Sequence, residues 1–160
     1  MKEILYNIES YNLTPKSGNK YLEKILNYDR KVVSQFIVKD IVENGISEKN
    51  EYAIDLLVEI NRENSWDYLK LLIQYKQFLI PILDFIGKNL VYESIELVLN
   101  IINENEDADD VYSAAEALSL IARFEDLARI LPLSGLDLGN NQQGLSSNRI
   151  ISNLAEELKK

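Results

Sequence analysis

Carboxylates are the main chemical resource of this chain. It contains no Cys and no His, which removes thiolate and imidazole nucleophiles, imidazole general bases, zinc centres with nitrogen or sulfur ligands, and disulfides. What remains is 26 Asp and Glu, 17 Lys and Arg, and nine Tyr. No spacing among the carboxylates singles out a pair for acid–base work. The chain therefore reads as a non-enzyme without cofactor or metal, with an enzyme using Asp or Glu alone as a remaining alternative.

Two motifs come close to a ligand site and fall short. Asn105, Asp107, Asp109 and Glu116 occupy positions 1, 3, 5 and 12 of a calcium loop. Position 6, where the loop needs Gly for its turn, is Asp110, and a helical pattern already starts at Val111. A capped turn is the better account. Gly139 to Ser146 has the glycine spacing of a phosphate-binding loop, but Leu145 stands where the Lys must be and no strand precedes it. That segment reads as a surface loop.

The carboxylates matter more as a field than as catalysts. Residues 91–137 carry 2 basic and 11 acidic side chains, a charge equal to the net −9 of the whole chain. Such an imbalance disfavours a nucleic-acid backbone or an anionic membrane as the main partner. It favours a basic protein surface, which it would attract and orient. Tyr92 and Tyr112 lie at the edge of this acidic region, apolar in body and polar at the tip, as interface residues tend to be. The candidate partner-binding residues are Tyr92, Glu93, Glu96, Glu104, Glu106, Asp107, Asp109, Asp110, Tyr112 and Glu116.

Helices must position these residues. The chain of 160 residues predicts one domain over 1–160. The pattern from Asp29 onward is helical, with no clean strand. Asp29 is an N-cap for a helix with Val32, Val33, Phe36, Ile37, Ile41 and Val42 inward and Gly45 as its stop. Ser47 caps a second helix with Ala53, Ile54, Leu57 and Ile60 inward, closed by Asn61–Asn64. Ser65 caps a third with Trp66, Leu69, Leu72 and Ile73, Trp66 reading as a core anchor. A break falls between Tyr75 and Ile80, and a helix apolar on several faces follows, with Pro81 in its first turn and Gly87–Asn89 at its end.

Val91 to Glu104 is the cleanest amphipathic pattern, with Val91, Ile95, Val98, Leu99 and Ile102 against Glu93, Glu96, Asn100 and Asn103. After the acidic connection, Asp109 or Asp110 caps a helix with Val111, Ala114, Ala115, Leu118, Ile121 and Ala122 inward. A short helix runs from Glu125 to Leu131. Residues 132–147 read as a surface loop, after which Ser146 or Ser147 caps a final helix with Ile150, Ile151, Leu154 and Leu158. A short helix is also expected from Asn19 to Tyr28. No segment is apolar over the length needed to span a bilayer, Phe78 to Ile86 being interrupted by Pro81 and Asp84, and Met1 to Asn12 has no signal-peptide run. A soluble cytoplasmic protein is expected.

Short connections between helices favour antiparallel neighbours stacked in order. The motif at Tyr52-Ala-Ile-Asp-Leu-Leu-Val echoes Tyr92-Glu-Ser-Ile-Glu-Leu-Val, 40 residues on, and Val91-Tyr92 recurs as Val111-Tyr112. Residues 107–121 resemble the second helix of HEAT-like repeats: an Asp-containing turn, then Val111, the small pair Ala114 and Ala115, Ala117-Leu118, Ser119 and Ile121. Tyr112 stands where that family usually has Arg. The resemblance implies an all-α fold of about seven to nine helices stacked as a short HEAT-like α-solenoid, working as a non-catalytic protein-binding scaffold. In size, charge and class the chain also resembles the immunity proteins of bacterial contact-dependent and polymorphic toxin systems. That likeness implies an inhibitor that occludes the active site of a basic toxin domain. The alternative is a HEAT-like adaptor or regulatory scaffold.

Overall fold

A computed structural model describes residues 27–45, 53–104 and 107–160. Residues 19–26 of the first expected helix, the Ser47 cap and Glu106 lie outside them. Among the described residues the regular structure is all helical. The chain falls into two compact units, Met1–Tyr75 and Lys76–Lys160.

In the first unit, α1 (Arg30–Asn44) packs against α2 (Ala53–Asn61), and the single turn α3 (Trp66–Leu69) touches both. Asp29 caps α1 by accepting the Val32 N–H at 3.1 Å, and Gly45 closes it with φ +76° and its N–H on the Ile41 carbonyl. The buried face of α1 is Val33, Ser34, Ile37, Val38 and Ile41, whereas Val32 and Val42 are exposed. The face is thus rotated from the expected one. Ser34 is buried because its hydroxyl is satisfied, donating to the Arg30 carbonyl at 2.8 Å and meeting the Asn61 side chain of α2. On α2 the expected Ala53, Ile54, Leu57 and Ile60 are all buried. Ser65 does not cap the next helix. Its hydroxyl turns back to the Arg62 carbonyl at 2.6 Å, and only one helical turn follows, with Trp66 half-buried and Leu69 and Leu72 in the core.

The second unit is built around one helix. Residues Ala108–Ile121 form α6, which packs against α4 (Lys76–Asn89), α5 (Ile95–Glu104) and α8 (Gln142–Leu158). Three neighbours leave little room, and the buried residues Ala114, Ala115 and Ala117 let them approach closely. Gly87 does the same from the side of α4. A Cβ at that position would stand 3.4 Å from Ala117 Cα and 3.0 Å from Leu120 Cδ1. Lys76, the first residue of α4, pairs with Asp107 at the start of α6, so the two helices begin together and, at Gly87, end together. They run parallel.

Pro81 sits inside α4, not in its first turn. Its missing N–H leaves the Gln77 carbonyl without its helical donor; Gln77 and Pro81 are both exposed, so water can serve it. The helix starts at Lys76, two residues before its apolar run begins at Phe78. On α5 the expected face holds, with Ile95, Val98, Leu99 and Ile102 buried. The loop expected over 132–147 is mostly ordered as helix. A 3-10 turn spans Leu133–Gly135, the short helix α7 (Leu127–Ile130) precedes it, and α8 begins at Gln142. Asn141, and neither Ser146 nor Ser147, caps α8 by accepting the Gly144 N–H at 2.7 Å. Gly144 is buried, and a Cβ there would run into the carbonyl oxygens of Leu138 and Gly139. The glycine that resembled part of a phosphate loop is there because the chain folds tightly back onto the helix start.

Candidate partner-binding surface

Three clusters within Lys76–Lys160 hold seven of the candidate residues, and each includes a cation or stands near one. The first closes the N-terminus of α6. Asp107 is its N-cap, accepting from the N–H of Asp109 at 3.1 Å and of Asp110 at 3.5 Å. This corrects the expectation that Asp109 or Asp110 would cap. Lys76 Nζ donates to Asp107 Oδ2 at 2.6 Å. That hydrogen bond, followed by the two backbone N–H groups, holds the Asp107 carboxyl below its usual range. The same bond and the charge of Asp107 raise the Lys76 ammonium above its usual value. Asp109 is exposed, but Asp110 is only 3% exposed, so it does not present its charge to solvent.

The second cluster joins the start of α5 to the segment before α7. The Tyr92 hydroxyl is 3.1 Å from Glu125 Oε1 and 3.4 Å from Asp126 Oδ1. Loss of solvation and then the Glu125 hydrogen bond push the phenol above its ordinary pKa. Arg123 lies over the Tyr92 ring, 3.7 Å from its centre, a cation–π contact. Asp126 is buried and takes the Arg123 N–H at 2.9 Å on one oxygen and Arg129 Nη1 at 3.1 Å on the other. Arg129 Nη2 stands 2.6 Å from Glu96 Oε1 without a directed hydrogen bond, an ionic contact at the rim. Tyr92 and Glu96 therefore fasten two segments to each other, and much of their polar capacity is spent inside the protein.

The third cluster is on the outer strip of α6. Tyr112 donates to Glu116 Oε1 at 2.7 Å; that bond raises the phenol's pKa and the charge of Arg149 on α8 opposes the rise. Asp109, Tyr112 and Glu116 follow one another at helical spacing along this strip, the two acids exposed and Tyr112 half-buried, and Glu93 and Glu104 are exposed as well.

Sequence reasoning missed Lys76, Arg123, Glu125, Asp126 and Arg129. Asp126 and Arg129 were legible as an i,i+3 pair; the Lys76 pair with Asp107 and the Arg123 contact with the Tyr92 ring had no local signal, because those partners are distant in the chain. Among the described residues no group of three or more Asp and Glu is placed to hold a metal ion, and no helix is long and apolar enough to cross a membrane. Compared with protein-family models, curated proteins and solved structures, the chain matches none.

Proposed function

We propose that this chain is a protein-binding inhibitor, an immunity protein that neutralises a bacterial toxin domain in the cytoplasm by covering its active site. The observation that carries this reading is the outer strip of α6. Asp109, Tyr112 and Glu116 project from a helix that packs against α4, α5 and α8. Acids held on a rigid shaft lose little freedom when a basic partner docks. Their field also speeds encounter and rejects acidic competitors. Against a nuclease toxin, these carboxylates would stand where substrate phosphates bind. The likeness of residues 107–121 to a HEAT-like repeat supports a binding role over a catalytic one.

The test is association kinetics against the toxin domain encoded beside the gene. Reversal must spare Asp107 and Asp110, one capping α6 and the other buried. The variant Glu104→Lys/Asp109→Lys/Glu116→Lys should slow association about tenfold or more. Its melting temperature should move little, since exposed charges contribute about 0–1 kcal/mol each. Glu156→Lys/Glu157→Lys, at the end of α8, is the control and should bind at the wild-type rate. A triple variant as fast as wild type sinks the assignment of this strip.

A further inference from the structure

Among the described residues three helices end the same way, each on an asparagine followed by a residue with positive φ. Asn44 closes α1 before Gly45 (φ +76°), Asn61 closes α2 before Arg62 (+48°), and Asn89 closes α4 before Leu90 (+52°). Each asparagine turns its side-chain amide back by four residues. Nδ2 donates to Asp40 Oδ1 at 2.7 Å from Asn44, to the Leu57 carbonyl at 2.7 Å from Asn61 and to the Phe85 carbonyl at 2.9 Å from Asn89. The residue that follows is what differs. Arg62 and Leu90 carry long side chains beside their backbone nitrogens, whereas nothing lies within 4 Å of the place a Cβ would take on Gly45.

That difference governs a reaction that needs only water. Hydroxide takes the amide proton of the following residue, and the freed nitrogen attacks the asparagine side-chain carbonyl carbon. A C–N bond forms, the bond to the side-chain nitrogen breaks, and ammonia leaves. Water then opens the five-membered succinimide at either carbonyl, giving aspartate or isoaspartate. A side chain next to the attacking nitrogen shields it, and glycine has none.

In the folded turn the two reacting groups are kept apart. A helical side chain points toward the N-terminus of its helix, away from the following nitrogen, and the bond to Asp40 keeps Asn44 there. The Gly45 N–H is engaged as well, donating to the Ile41 carbonyl at 2.9 Å. The turn that guards the site is nevertheless weakly held. Ile41 is the last buried residue of α1, and Val42, Glu43 and Asn44 are exposed. The Lys39–Glu43 ion pair lies in solvent, where such pairs add little. Helix ends of this kind open locally at far less cost than global unfolding.

We propose that Asn44 is a site of spontaneous deamidation, gated by opening of the last turn of α1, and that the product holds the turn open. Either product puts a carboxylate four residues from Asp40, at the negative pole of the helix dipole, with no basic residue in the last turn to offset it. Isoaspartate also routes the main chain through Cβ, which takes the Gly45 N–H out of register with the Ile41 carbonyl. The modification therefore runs one way and loosens the end of α1.

The test incubates the full chain at neutral pH, folded in buffer and unfolded in guanidinium chloride, and maps its peptides by mass spectrometry with a separation that resolves isoaspartate. Asn44 should convert in both samples, about tenfold or more slowly when folded, while Asn61 and Asn89 remain amides in the folded chain. Asp40→Ala releases the Asn44 side chain and should speed the folded reaction several-fold without changing the rate in denaturant. Asn44→Asp stands for the product and should lower the melting temperature at neutral pH, the loss shrinking in acid as the paired carboxylates take up protons. Equal rates in the folded and unfolded samples overturn the gate, as does an unchanged folded rate in Asp40→Ala. A folded chain that keeps Asn44 intact however long it is incubated shows that the turn does not open, and conversion of Asn89 as fast as Asn44 removes the role of Gly45; either result sinks the proposal. An Asn44→Asp chain that melts with wild type refutes the claim that the product loosens α1.

Discussion

At its N-terminus α6 is closed by Asp107, whose carboxylate takes two backbone N–H groups and the ammonium of Lys76. At its other end Leu120, Phe124 and the neighbouring Leu90 stand in water, and the adjoining turn of α4 holds a leucine in a left-handed conformation. The first end satisfies every local rule: an acid on the positive pole of the helix dipole, a cap, and a cation from the next helix. The second end breaks two of them. Groups at the first end stabilise the fold; side chains at the second are not explained by stability.

The largest effect should come from the shaft between the two ends. Leu118 is fully buried, and Leu118→Ala should cost about 2–5 kcal/mol in denaturant unfolding. A smaller loss would mean that α6 is less tightly enclosed than its neighbours imply. Next is Asp107→Ala, which removes both cap and ion pair and should lower the melting temperature. Asp107→Asn keeps an acceptor for the N–H groups but loses the charge.

The sign of the pH effect follows from the depressed carboxyl. Its stabilisation is present above the ordinary value of 3.8 and disappears as pH falls through the lower folded value. The melting-temperature gap between wild type and Asp107→Asn should therefore be wide at neutral pH and close in that acid range. A constant gap would show that Lys76 does not act through the carboxylate charge.

At the other end the sign should invert. Leu90→Gly should leave stability unchanged or raise it by up to about 1 kcal/mol, because glycine accepts the positive φ that leucine resists. A clear loss would show that Leu90 packs in the fold and would erase the contrast between the ends. The smallest effect is Phe124→Ser, within about 0.5 kcal/mol in thermal or chemical unfolding, as for a side chain that is largely in water.

Much of the helical scaffold is legible from local pattern. The Asp29 cap, the Gly45 stop and the buried face of α5 follow from residue type and spacing alone, since each depends on neighbours within a turn or two. The inward face of α1 was not legible. Val32 and Val42 fit a three-and-four pattern as well as Val38 does, and a buried Ser34 becomes acceptable only once Asn61 from α2 reaches it. The candidate surface was half legible. The acidic segment is evident in the sequence, yet Asp110 turns inward, and Tyr92 and Glu96 are engaged by residues some thirty positions away.

Composition and periodicity by themselves determined an all-helical protein without thiol or imidazole chemistry and with its negative charge gathered in 91–137, because such properties sum over residues or repeat along one helix. Tertiary structure decided the rest by selecting among locally equivalent choices. Asp107 caps α6 with one carboxylate oxygen, and only the packed structure brings Lys76, 31 residues earlier, to the other. Gly144 is buried because the chain doubles back on the start of α8, and Pro81 stays inside α4 at an exposed position. Leu120 comes to lie against Gly87 only when α6 packs on α4, since contact and exposure are properties of the packed surface and not of any window along the chain.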